Sequence, residues 1–136
     1  MISTHRLRRS TSAFLALLFS ACGSPPPEQG EAEFTSAVMQ AEIPADLATG
    51  AALFAENCAT CHGERGLGTD QGPPLVHIIY EPSHHADIAF LYAVQRGVRA
   101  HHWDFGDMPP VPAIDQEELR QIVAYVRFLQ RQVGIV

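Results

Sequence analysis

Lysine is absent from this 136-residue chain: its nine Lys/Arg positions are all arginine, set against 15 acids. Arg6, Arg8 and Arg9 precede the first acid, Glu28, so without them the net charge moves from −6 to −9. That balance argues against nucleic acid as a partner, since such affinity rests on cationic side chains neutralising phosphates. A partner with a basic docking face fits better. Length leaves room for one ordinary domain and excludes a large multidomain enzyme. Aromatics are only 8% of the residues, so a small domain would gain from an extra hydrophobic body at its centre. No internal repeat and no clear alternating strand pattern is present, so the expected fold class is all-α with long loops.

Long apolar runs are also missing. Ala13–Phe19 is the apolar core of a basic, then apolar, then small-residue N-terminus. It is too short to span a bilayer and reads as a signal peptide over residues 1–21, hence export to the periplasmic side of a membrane. Arg8-Arg9 raises a twin-arginine signal, but Leu7 and Ser10-Thr11 fit that pattern poorly. Cysteine is scarce, with three in all. Cys22 follows Ser20-Ala21 and is left over once Cys58 and Cys61 are paired in one motif. The segment resembles a bacterial lipoprotein cleavage site, with Phe19 where that family usually has leucine. The resemblance implies that Cys22 carries a lipid anchoring the protein to a membrane; cleavage by ordinary signal peptidase, giving a soluble periplasmic protein, is the alternative. Residues 22–45, rich in proline, glycine and glutamate, read as a tether of about 25 Å reach, with a short helix around Phe34–Gln40 as an option.

Residues 46–136 then form the domain. Asp46 is a candidate N-cap for a helix running towards Cys58. A second helix is expected over Asp87–Arg96, with Gly97 as its C-cap. A third begins at Asp115, where Glu118 completes an acidic capping box, and Leu119, Ile122, Val123, Val126 and Leu129 define its apolar face.

Cys58-Ala59-Thr60-Cys61-His62 matches C-x-x-C-H, the attachment signature of c-type haem. Two thiols separated by two residues reach two vinyl groups on one edge of the macrocycle, and the next residue, His62, supplies an imidazole to the iron. A thioredoxin-like pair needs a βαβ setting that is missing here. A structural zinc site needs a second ligand pair, and the domain has no further cysteine. A plain disulfide leaves His62 unexplained. The second axial ligand comes from Met108 or from one of His77, His84, His85, His101 and His102; Met39 lies in the tether. Met108 precedes two prolines in a stiff, extended strap and is the favoured ligand, although methionine more commonly fills core gaps.

These residues resemble the class I monohaem cytochromes c over Asp46–Val136. The order of pieces carries the resemblance: Gly50-x-x-x-Phe54 before the haem motif, Gly72-Pro73-x-Leu75 after it, a middle helix ending at Gly97, then Met108-Pro109 and a last helix with Tyr125-Val-Arg-Phe-Leu129. The resemblance implies three main helices wrapped around one covalently bound haem, with Gly50 and Phe54 packed against Tyr125. It implies too that the Pro73 carbonyl accepts from the outer nitrogen of His62 and that Leu75 packs on the ring. Iron held by His62 and Met108 has no open site, so the implied function is electron transfer to redox partner proteins, not catalysis.

Seven histidines, with pairs at His84-His85 and His101-His102, exceed that pattern. They serve as loop residues around the haem edge or form an accessory copper or zinc site. Arg99 and Trp103 are candidate donors to the haem propionates; solvated charge and core aromatic are their other readings. If Met108 did not bind, open or histidine-ligated iron would point to a peroxidase or gas sensor.

Overall fold

A computed structural model describes residues 27–136; the signal segment and Cys22 lie outside the described residues. Five α-helices follow in order: α1 (Pro27–Gln40), α2 (Ala48–Asn57), α3 (Ala59–His62), α4 (Asp87–Arg96) and α5 (Gln116–Gln132). Short 3₁₀ turns occupy Ala45–Leu47, Glu64–Gly66 and Ile78–Tyr80. Among the described residues the only β-type pairing is an isolated antiparallel bridge between Val98 and Met108. The fold is all-α.

The longest helix, α5, begins with the capping box its sequence announces. Asp115 Oδ1 accepts from the Glu118 backbone N–H at 2.9 Å, and Glu118 Oε2 accepts from the Asp115 N–H at 3.0 Å. Its apolar face, Leu119, Ile122, Val123, Val126 and Leu129, is buried. That face meets α2, where the Phe54 and Tyr125 rings lie 5.6 Å apart. Gly50 makes the crossing possible, because a Cβ there would stand 2.1 Å from the Gln121 carbonyl oxygen of α5. Phe54, Val126 and Leu129 are fully buried beside Leu75 and Val76, and each such side chain contributes about 1.5–3 kcal/mol of burial. A smaller cluster of Val94, Leu119 and Val123 joins α4 to α5, and Phe90 and Ile114 pack against both clusters.

Two expectations are corrected here. The stretch 22–45 is not all tether: from Pro27 to Gln40 it is helical, and Val38 is fully buried in the main core with Phe34, Ala41 and Ile43 packed beside it. Arg65 fixes this helix by donating to the Val38 and Ala41 carbonyls at 2.8 and 2.7 Å. Those carbonyls belong to the end of α1, where intrahelical partners run out. Packed structure therefore begins well before Asp46. Asp46 is also no cap; α2 is entered through the 3₁₀ turn closed by Leu47 N–H on the Pro44 carbonyl, and no side chain caps it.

The long loop between α3 and α4 is organised by two polar residues on the buried face of α5. Arg127 donates to the carbonyls of Tyr80 and His85, to Gln130 Oε1 at 2.7 Å and to Asp87 Oδ1 at 2.9 Å. Gln130 Nε2 donates to the Leu75 and Tyr80 carbonyls at 2.8 and 3.1 Å. The Asp87 side chain is 70% exposed, so the ion pair itself counts for little. The carbonyls dominate, since an unsatisfied buried acceptor costs about 1–3 kcal/mol. Arg127→Ala is thus expected to lower unfolding free energy by about 3 kcal/mol in denaturant titration. A loss below about 1 kcal/mol would mean water replaces the guanidinium without penalty.

Candidate functional site

Cys58 marks the break between α2 and α3. Its φ of −122° leaves the helical region, yet its N–H still bonds the Phe54 carbonyl at 2.9 Å. Cys61 and His62 N–H groups then both reach back to the Cys58 carbonyl, at 3.2 and 2.9 Å. The C-A-T-C-H segment is therefore one turn of helix, and positions 58, 61 and 62, at i, i+3 and i+4, share a face. Both thiols are free; Cys58 is half-buried and Cys61 exposed. Burial, aided by the neighbouring Cys61, pushes the Cys58 thiol up to about 11.

The chain after His62 folds back over this turn. Gly68 N–H bonds the His62 carbonyl at 2.6 Å, the Thr69 hydroxyl donates to the Cys61 carbonyl, and Leu75 N–H reaches Gly66 at 2.8 Å. The result sets the Pro73 carbonyl 2.9 Å from His62 Nδ1. A carbonyl only accepts, so Nδ1 carries the proton and Nε2 keeps its lone pair. Burial lowers the His62 pKa, with the Pro73 bond acting the other way; the neutral imidazole that can ligate a metal is favoured. Leu75 is buried in the same cluster against which Cys58 packs.

Met108 lies on the other side of the chain order, in the strap between α4 and α5. Its N–H and carbonyl both pair with Val98, each at 2.9 Å, and Val111 N–H bonds the Val94 carbonyl at 2.8 Å. Gly97, at φ 74°, ends α4 and lets the strap close in: a Cβ there would stand 2.5 Å from the Met108 carbonyl. The Met108 side chain is half-buried against Val94, Leu119 and Val123.

The profile of one family, cytochrome c, matches residues 47–130. The chain belongs to the cytochrome c family. This cytochrome is also 34% identical over 87 residues to the Cbb3-type cytochrome c oxidase subunit CcoP of Cereibacter sphaeroides, a match covering 60% of the chain. It spans about a quarter of that relative's length (27%). No solved structure matches the chain. Membership implies a covalently bound c-type haem and a role in electron transfer.

The residues of this cytochrome fit that group on an observation independent of the motif. Trp103 Nε1 is buried without a hydrogen-bond partner, and an orphaned buried donor needs an acceptor such as a propionate carboxylate. Burial pushes the Tyr80 phenol up while the nearby indole pulls the other way, but the two do not meet hydrogen-bond geometry. Trp103 packs edge-on to His77 at 5.1 Å. Arg99 is exposed, and its carbonyl accepts from His101 Nδ1 at 2.8 Å, so the two residues expected at the propionates occupy different settings.

The histidine pairs meet. His84, His85, His101 and His102 form a continuous group of rings, and loss of hydration together with the neighbouring His101, His85 and His84 lowers the His102 pKa. An open groove of about 430 Å³ between α4 and α5, lined by Ile88, Leu91, Leu119, Arg120 and Val123, contains none of the motif residues. Arg65 and Arg127, which fix α1 and the 75–87 loop, escape sequence reasoning. The signal for Arg127 is present: with Gln130 it stands four residues after Val123 and Val126, on the apolar face. Among the described residues no helix is long and apolar enough to cross a membrane.

Proposed function

We propose that this cytochrome is a monohaem electron carrier of the class I type, exported and tethered to a membrane through a lipid on Cys22. Cys58 and Cys61 would hold the haem through two thioether bonds, with His62 Nε2 and the Met108 sulfur as axial ligands. The bound group supplies one-electron oxidation and reduction of iron. Everything else is the work of the chain. Pro73 fixes the His62 ring and raises its basicity; Leu75 would pack on the face of the haem; Trp103 and Arg99 would meet the propionates. The observation that carries the reading is the helical turn presenting two free thiols beside an imidazole whose Nδ1 is already committed to Pro73.

The anchorage of Met108 by the Val98 bridge and the close approach at Gly97 support ligation, because they hold the residue on a short rigid strap. Iron held by both His62 and Met108 would offer no position to a substrate, which favours a carrier over a peroxidase or gas sensor. Beyond Arg9 the chain is strongly acidic, so association with a basic partner should weaken as salt rises. The oxidase subunit named above supports an oxidoreductase as that partner.

The absorption spectrum of the oxidised holoprotein tests the ligands. One haem per chain and the weak far-red band of sulfur bonded to iron(III) are expected; its absence would turn the reading towards open or histidine-ligated iron. Cys22→Ser is expected to move the protein from the membrane fraction to the soluble fraction. Retention on membranes would rule out lipid attachment at that residue.

A further inference from the structure

We propose that His84, His85 and His102 form a second metal site in this protein, taking one late first-row divalent cation through three imidazole nitrogens. The three residues come from two loops, one before α4 and one after it, yet their ligating atoms all lie within 4.8 Å of one another. Ring centroids stand 4.7 Å apart for His84 and His85, 5.3 Å for His84 and His102, and 5.2 Å for His85 and His102. Tetrahedral ligation at about 2.0–2.1 Å sets nitrogens roughly 3.4 Å apart. Closing the difference takes small side-chain rotations, and His84 and His102 are exposed and able to make them.

The surrounding chain holds the group in place. His84 and His85 N–H groups both bond the Glu81 carbonyl, at 3.1 and 2.8 Å, which winds their loop into a tight turn. Arg127 pins the same turn from α5 through the His85 carbonyl. His85 Nδ1 donates to the Ile79 carbonyl at 2.7 Å, so Nε2 is the nitrogen left to ligate. A backbone carbonyl on the outer nitrogen is what a ligating histidine ordinarily has, and it orients the ring before the metal arrives. On the second loop, Asp107 Oδ1 accepts from the Ala100 N–H at 2.9 Å.

Three imidazoles without a carboxylate select zinc, copper or nickel over calcium and magnesium, which demand oxygen. Three protein ligands leave a fourth position for water, the arrangement of an open site and not of a closed structural one. None of Cys58, Cys61, His62 or Met108 belongs to the group, so the site is independent of the haem ligands.

The test is calorimetric titration of the ferric holoprotein with Zn(II), which is redox-inert and leaves the iron oxidation state alone. One Zn(II) per chain is expected, with His84→Ala and His102→Ala each weakening binding tenfold or more while the haem absorption spectrum stays unchanged. Both substituted positions are exposed, so folding is not at stake. No saturable Zn(II) binding, or the same isotherm in both variants, would overturn the proposal. A changed haem spectrum with lost Zn(II) binding would also overturn it, since it would show that the imidazoles act on the haem.

Discussion

Replacing Met108 by alanine should leave the haem covalently attached while lowering the reduction potential by on the order of 0.1–0.3 V, part of the roughly 0.8 V range that axial ligands control. A thioether on the iron would favour its reduced form, and without it water or a weaker ligand would take the position. The same variant is expected to bind carbon monoxide in the ferrous state, and the parent protein is expected to exclude it. A redox titration and a carbon monoxide difference spectrum read the two effects. Carbon monoxide exclusion persisting in Met108→Ala would show that another residue holds the iron. Gly97→Ala should reproduce part of the effect without touching the sulfur. Its new Cβ would stand 2.5 Å from the Met108 carbonyl at a φ of 74°, so the strap must move away from α4.

Gly50→Ala should destabilise the holoprotein by about 3 kcal/mol or more, at the upper end of what overpacking costs. A single methyl group would stand 2.1 Å from the Gln121 carbonyl oxygen and 2.7 Å from its carbon. These are backbone atoms inside a helix and cannot rotate aside. Helices α2 and α5 must separate, and the Phe54–Tyr125 contact loosens with them. Denaturant unfolding followed by tryptophan fluorescence or helical circular dichroism measures the shift. A loss below about 1 kcal/mol would mean that the two helices slide past each other at little cost.

Features that one short stretch specifies were legible beforehand. The capping box at Asp115 and Glu118 and the C-cap at Gly97 each depend on residues within four positions. The packing of Gly50 and Phe54 on Tyr125 was legible in a different way, through the order of pieces shared with the family. The segment Pro27–Gln40 reads as linker by its composition, with a helix legible only as an option over Phe34–Gln40. Its helix is held from outside by a buried Val38 and by Arg65, 27 residues further on. Composition carries no information about a contact supplied by a distant arginine.

Local spacing thus determined the chemistry: two thiols and an imidazole on one turn of helix require nothing beyond the period of the helix. Tertiary structure alone decided which partners the inward-facing polar groups meet. Spacing sets Arg127 on the apolar face of its helix, but that it donates to the Tyr80 carbonyl, 47 residues away, is settled only by the packed loop. The convergence of His84 and His85 with His102 was decided in the same way, by two loops that meet only once α4 and α5 have packed. Contacts within a turn follow from backbone geometry, whereas contacts between loops follow from the burial that brings those loops together.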